Sequence, residues 1–136
     1  MAFNSSAFNP RQYEVACIAT TGTLVPGTAV KLPDSLPTGL STPALYFVFS
    51  AAGTADRPVG VVGLGGNVSP TMPGRAVLMG GSPLVPVLLD SAVAKGDALS
   101  IKTADGKWGK AAGGETPYVI ACEAGAMGDL AWASVL

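Results

Sequence analysis

Glycine and proline recur along the whole chain and limit the length of every secondary-structure element that it can form. The 136 residues include 18 glycines and 11 prolines, and these are spread through the sequence rather than collected in one linker. They leave apolar runs of about four to eight residues, the usual length of β-strands joined by tight turns. No run keeps apolar residues at helical spacing over three turns without a glycine or proline inside it. We therefore predict an all-β fold of short strands, such as a β-sandwich or a barrel.

Individual strands can be assigned from alternation and from β-branched or aromatic content. Ala104-Asp105-Gly106 predicts a hairpin turn, because Asp-Gly tolerates the positive φ angles that such turns need. The helix candidates are two short segments, Ser91–Ala94 and Ala124–Met127. The predicted strands are Glu14–Thr20, Ala29–Leu32, Leu45–Ser50, Val59–Leu64, Arg75–Met79, Leu84–Leu89, Ala98–Lys102, Lys107–Lys110, Tyr118–Glu123 and Leu130–Val135.

The length of the chain fits one domain. We predict an extended N-terminal arm over residues 1–13 and a single β domain over residues 14–136. The first eleven residues follow neither the strand nor the helix period, so they are either a disordered terminus or an arm that orders on a partner. In the second case the partner-binding residues would be Phe3, Phe8, Pro10, Arg11 and Tyr13.

Three pairs of segments follow one another in the same order in the two halves of the chain. Residues 26–32 match 95–101, residues 57–62 match 116–121, and residues 73–78 match 127–132. In both halves the order is a strand that follows a glycine, a strand that follows a proline, and a second strand that follows a glycine. Two interpretations stay open: two similar halves that arose by duplication, or chance matches in a glycine-rich and proline-rich β chain.

The low charge content points to a surface that is covered by other protein. Asp, Glu, Lys and Arg make up 12% of the chain, against about 25% in an ordinary soluble domain. The apolar stretches are too short or too interrupted to span a membrane as a helix, and no secretory signal is visible. The net charge is −1, with no basic stripe for nucleic acid. We predict an assembly component, rather than a low-charge monomer, that binds neither membrane nor nucleic acid.

Residue types that carry out catalysis are scarce. The chain contains no histidine, which removes the commonest general base and metal ligand. Cys17 and Cys122 lack CxxC spacing and are interpreted as buried thiols, although their pairing stays open. The glycines from Gly63 onward do not fit a dinucleotide fingerprint, because its third glycine position is Val68. The acidic residues stand mostly beside turn residues. We predict no catalytic residue, no metal ligand, no cofactor and no enzymatic activity.

The two tryptophans, Trp108 and Trp132, both lie in predicted strands. They are candidates for core packing or for a subunit interface, where tryptophan is enriched. As a third alternative, either ring could serve as a stacking platform in a carbohydrate-binding module.

Six segments, mainly in the C-terminal half, consist mostly of strand starts and turns: residues 57–62, 93–99, 105–108, 119–124, 128–130 and 135–136. These segments resemble bacteriophage capsid decoration proteins, also called cement or head-stabilising proteins. The resemblance implies a β-sandwich or β-tulip, a homotrimer, an N-terminal arm on the shell and the major capsid protein as partner. It also implies a structural role: made in the host cytoplasm, such a protein stabilises an expanded capsid from the virion exterior without catalysis. The alternatives are another virion assembly component, such as a tail or head–tail protein, and a carbohydrate-binding β module.

Overall fold

A computed structural model describes residues 12–34 and 46–136 of the chain. Phe3, Phe8, Pro10 and Arg11 therefore lie outside the described residues, as does Leu45, the start of one predicted strand. The predicted boundary between arm and domain stays a prediction. The described residues form an all-β fold, as predicted, with one short 3-10 helix at Met79–Gly81. The strands are β1 (Glu14–Ala19), β2 (Ala29–Lys31), β3 (Phe47–Ala51), β4 (Gly60–Val62), β5 (Gly74–Leu78), β6 (Leu84–Leu88), β7 (Ala98–Ile101), β8 (Trp108–Lys110), β9 (Val119–Ala121) and β10 (Leu130–Val135).

Every predicted strand overlaps an observed one, but both helix candidates were wrong. Val93 and Gly125, one from each candidate segment, form an antiparallel β-bridge with each other. The Val93 N–H donates to the Gly125 carbonyl at 2.9 Å, and the Gly125 N–H donates back at 3.1 Å. A four-residue segment cannot repay the cost of nucleating a helix. Pairing between distant segments satisfies the same backbone groups.

The strands form two units of five. Repeat 1, residues 14–34 and 46–78, is a closed barrel with the strand order β1-β3-β2-β4-β5. Repeat 2, residues 84–135, is a sheet with the order β6-β10-β9-β7-β8. Because the barrel is closed, its order can also be read from β3 as β3-β2-β4-β5-β1. Raising each number by five gives β8-β7-β9-β10-β6, which is the order of repeat 2 read from its other end. The adjacent antiparallel pairs also correspond one for one.

The register of the two repeats coincides as well. Ala29 lies opposite Val61 in repeat 1, and Ala98 lies opposite Ile120 in repeat 2. These are the residues that the first two sequence matches place together, so the interpretation as two similar halves is correct. The third match is wrong by three residues. Gly74 pairs with Cys17 on β1, and Ala131 pairs with Val87, the equivalent residue on β6. The counterpart of Gly74 is therefore Ala131, whereas the sequence match places Gly128 there.

The repeats differ at one seam. In repeat 1 the barrel closes through parallel pairing of β1 with β3 over three residue pairs. In repeat 2 the corresponding strands, β6 and β8, meet only near the bridge between Leu89 and Trp108. Repeat 1 fills the rest of that gap: the Gly27 carbonyl accepts from the Leu88 N–H at 2.9 Å, and the Ala29 N–H donates to the Gly106 carbonyl at 2.8 Å.

Two hydrophobic clusters follow from this arrangement. One lies inside repeat 1 and contains Phe49 and Cys17. The larger one fills repeat 2 around Trp108 and also takes in residues from the outer face of repeat 1. The two repeats therefore share part of one core. Among the described residues, no helix is long and apolar enough to span a membrane. The residues that repeat 1 contributes to the larger cluster are Ala29, Ala52, Val61 and Val77.

Candidate partner-binding groove

An apolar groove of about 1130 Å³ lies where the two repeats meet. Its lining comes in equivalent pairs from the two repeats, since the strand ends that form it correspond. The Met79 N–H donates to the Val59 carbonyl at 3.0 Å, and in the same way the Leu136 N–H donates to the Tyr118 carbonyl at 3.0 Å. Both β5 and β10 thus end beside the groove and deliver an apolar residue to it. The main lining residues are Tyr13, Arg57, Pro58, Val59, Leu78, Met79, Thr116, Pro117, Tyr118, Val135 and Leu136.

Tyr13, one of the predicted partner-binding residues, lies at the edge of this groove. Its N–H donates to Ser82 Oγ at 2.8 Å, and its carbonyl accepts from the Leu78 N–H at 2.8 Å. Its side chain packs on Gly81, where an added Cβ would lie 2.8 Å from Tyr13 Cβ. The backbone is therefore fixed while the side chain stays 57% exposed. A fixed, exposed aromatic side chain is well suited to contact another protein.

The groove is hydrophobic with little charge. Arg57 is the only charged side chain among the described residues that line it, and it is exposed. Leu136, at 64% exposed, adds a second accessible apolar side chain. A partner segment with apolar side chains and one acidic group would complement this lining. The sequence pointed to Tyr13, but Arg57, Met79 and Leu136 emerged only because folding brings three distant segments together.

Several carboxylates accept hydrogen bonds from backbone N–H groups within turns, as the turn residues beside them in the sequence predicted. Asp56 Oδ2 accepts from the Gly53 N–H at 2.8 Å, and at the equivalent turn Glu115 Oε1 accepts from the Ala112 N–H at 2.6 Å. Asp97 and Asp129 likewise accept from backbone N–H groups three residues before them, both at 2.9 Å. The chain segments described contain no group of three or more His, Cys, Asp or Glu residues placed to hold a metal ion.

Three carboxyl groups, those of Asp56, Glu115 and Glu123, have shifted pKa values. The pKa of Asp56 is lowered, mainly by the hydrogen bond from the Gly53 backbone and then by Lys31. The pKa of Glu115 is lowered, mainly by Lys102 and then by the Ala112 backbone. The pKa of Glu123 is raised because burial disfavours its charged form. These shifts accompany structural hydrogen bonds, and none of the three residues lines the groove.

The tryptophans and cysteines lie elsewhere. Trp108 is fully buried in the shared core, and Trp132 is 6% exposed. Both tryptophans thus pack within the chain, while their role at a subunit interface stays a prediction. Neither ring presents the exposed face that carbohydrate stacking requires. Both cysteines are free thiols, with Cys17 buried and Cys122 only partly buried. Burial raises the pKa of Cys17 to about 11, as for a thiol that packs in the core.

The chain is similar over nearly its whole length to the solved structure titled "The crystal structure of head fiber gp8.5 N base in bacteriophage phi29". The likeness covers 93% of this chain and 95% of that one, with a TM-score of 0.68 and 15% sequence identity. At this identity the likeness establishes the fold. A scan against protein-family models found no match, and a search of curated proteins also found none.

Proposed function

We propose that this chain is a non-catalytic structural protein of a phage virion, which binds the outer surface of an expanded capsid and stabilises it. The observation that supports this most is the end-to-end correspondence with the base of a phage head fibre. The neighbour is the N base of a phage head fibre, and the likeness covers 93% of this chain. Because one fold can carry many functions, the proposal also rests on the surface of the chain.

The groove beside Tyr13 supplies the contact surface of the proposal. It is apolar, it carries one exposed cation, and it begins where the predicted arm of residues 1–13 ends. We propose that the major capsid protein occupies this groove and that the arm, with Phe3 and Phe8 as anchors, extends the contact across the shell. The protein would be made in the host cytoplasm, assemble as a homotrimer and reside on the virion exterior.

The physical basis of stabilisation is mass action. A protein that binds only the expanded shell stabilises it by RT ln(1 + [L]/Kd) for each occupied site. Because an icosahedral shell repeats the site many times, modest affinity at each copy is sufficient. This stabilisation needs no chemical step.

The test is co-sedimentation of the purified chain with expanded, undecorated capsids. We expect saturable binding at about micromolar concentration and a higher capsid melting temperature. Tyr13→Ser and deletion of residues 1–11 should each weaken binding. Met127→Ser is the matched control, since Met127 is 76% exposed and does not line the groove. Absence of binding to capsids would contradict the proposal, and binding to isolated tails instead would favour the tail alternative.

A further inference from the structure

Each repeat contributes an equivalent set of residues to the groove beside Tyr13. The strand registers match Val59 of repeat 1 with Tyr118 of repeat 2, and a proline precedes each of them. The ends of β5 and β10 correspond in the same way. Among the described lining residues, one equivalent pair differs in charge: repeat 1 has Arg57 where repeat 2 has Thr116. Charge therefore distinguishes two sets of lining residues whose backbones correspond.

The Arg57 side chain is exposed and has no ion-pair partner among the described residues. Asp56, its neighbour in sequence, is already engaged. The Asp56 carboxylate accepts from the Gly53 N–H at 2.8 Å and from Lys31 Nζ at 3.1 Å. A guanidinium presents five N–H donors in a planar fork, which fits a carboxylate through two parallel hydrogen bonds. Arg57 thus offers this fork to a molecule that enters the groove.

The surroundings of Arg57 decide which chemical group a partner must bring. A segment that fills the groove covers the side chain and removes water from its charge. A purely apolar segment would leave the guanidinium covered and unpaired, which is costly, whereas a carboxylate restores the lost hydrogen bonds. The rest of the described lining is apolar or neutral, so it favours apolar side chains on either side of that carboxylate.

The N-terminal arm of the chain does not have this chemistry. Residues 1–11 contain no aspartate or glutamate, and their one charged side chain, Arg11, is a second cation. In the groove the arm would bring no carboxylate to Arg57, and like charges repel. The composition of the arm therefore favours a segment of another protein as the occupant of the groove.

We propose that Arg57 selects the capsid segment that binds in the groove, by pairing with one carboxylate of an otherwise apolar segment. The cation stands on repeat 1 alone, so the carboxylate binds beside repeat 1 and fixes how the segment lies across the two repeats. The inference rests on the proposed function and adds the residue that recognises the partner and the acidic group that it recognises. Arg57 is thus a specificity determinant, whereas Tyr13 is an apolar contact.

The first test compares arginine variants in co-sedimentation with expanded, undecorated capsids. Arg57→Gln should raise the dissociation constant for the capsid at least about tenfold, and Arg57→Glu, which opposes a carboxylate, about a hundredfold. Arg75→Gln is the matched control, since Arg75 is an exposed arginine of the same repeat that does not line the groove. It should bind as the original chain does. All three substitutions are at exposed positions, so the melting temperature of the free chain should stay unchanged.

Salt dependence and the position of the charge give a second test. Raising NaCl from about 50 to about 500 mM should weaken capsid binding by the original chain more than by Arg57→Gln, because salt screens the ion pair. The double variant Arg57→Thr, Thr116→Arg keeps the net charge of the groove and moves the cation to repeat 2. It should bind as weakly as Arg57→Gln. Binding restored to the original level would mean that only the net charge matters, which would overturn the inference.

The two proposals fail in different ways. Capsids that bind no form of the chain contradict the proposed function, and the inference falls with it. Normal binding by Arg57→Gln, with Tyr13→Ser still weakened, overturns the inference and leaves the proposed function intact. We also expect a synthetic peptide of residues 1–11 not to bind the chain that lacks them. Saturable binding of that peptide, lost in Tyr13→Ser, would put the arm in the groove and overturn the inference.

Discussion

The two repeats have one topology and two different closures. Repeat 1 closes its own barrel because β3 extends back to Phe47 and pairs with Cys17 on β1. Repeat 2 stops at Trp108, and its gap receives Gly27 and Ala29 of repeat 1. The difference lies in the connection before the third strand of each repeat. In repeat 2 it is the tight hairpin turn around Gly106, whereas in repeat 1 it is long and includes residues 35–45, outside the described ranges.

The two repeats thus show two ways to satisfy the backbone at the open side of one unit: by pairing its own strands, or by hydrogen bonds from the neighbouring unit. The central residues of the two repeats correspond, since Phe49 and Trp108 occupy the same register position and both are buried. The larger tryptophan sits in the repeat that opens toward its neighbour. The edges of the units, rather than their centres, therefore decide how the two halves join.

The largest expected effect comes from the central aromatic residues. Trp108→Ala should lower the free energy of unfolding by about 3–5 kcal/mol, and Phe49→Ala should fall in the same range, because each leaves a large cavity. Since Trp108 lies in the core that both repeats share, its loss should destabilise the whole chain in one transition. Denaturant unfolding followed by far-UV circular dichroism checks this. Two separate transitions, with repeat 1 unaffected by Trp108→Ala, would instead mean that the repeats are independent.

Two equivalent glycines, Gly27 and Gly96, give the next largest effect and isolate the contact between the repeats. Gly27→Ala and Gly96→Ala both place a Cβ on left-handed backbone, at a cost of about 1–2 kcal/mol. Only Gly27→Ala also forces a methyl group against Leu88 and Leu130, which adds about 1–3 kcal/mol. The difference between the two variants in thermal or denaturant unfolding measures that crowding. Equal destabilisation would show that the two glycines are equally free of contacts.

A smaller effect is expected at the equivalent turn carboxylates, Asp56 and Glu115. Both pKa values lie below the ordinary 3.8 and 4.5. Their contribution to stability is therefore present above those ordinary values and is lost as the pH falls through the lowered ones. Asp56→Asn and Glu115→Gln should each reduce stability at neutral pH and flatten its decline in acid. Unfolding midpoints between neutral pH and about pH 2 test this, and an unchanged acid limb in both variants would argue against it.

Glu123 provides the smallest and opposite pH effect, without an equivalent in repeat 1. Its counterpart there is Leu64, which follows β4 as Glu123 follows β9. Because burial raises the pKa of Glu123 above 4.5, its ionisation costs stability as the pH rises through the raised value. Glu123→Gln should remove that loss. The variant should therefore be more stable than the original chain above the pH range in which Glu123 ionises, and equally stable below it. A gain of the same size at every pH would assign the effect to packing instead of to charge.

The sequence by itself determined the class of the fold, the place of all ten strands and the Asp-Gly hairpin turn, because glycine and proline act on the backbone locally. It also revealed two of the three segment matches, at β2 and β7 and at β4 and β9. The third match failed because the connections before β5 and β10 differ in length. The glycine that precedes β10, Gly128, is therefore not the residue that pairs as Gly74 does. Local patterns also predicted two short helices, but the structure instead pairs Val93 of one segment with Gly125 of the other in a β-bridge.

Only the tertiary structure decided which surfaces are buried and which are available. Ala29 and Ala98 each lie two residues after a glycine and directly before an aliphatic residue, yet Ala29 is buried and Ala98 is partly exposed. The groove beside Tyr13 likewise joins residues that are far apart along the chain, at Arg57, Met79 and Leu136. The physical reason is that burial depends on which elements pack against a strand, and alternation within that strand carries no information about its neighbours.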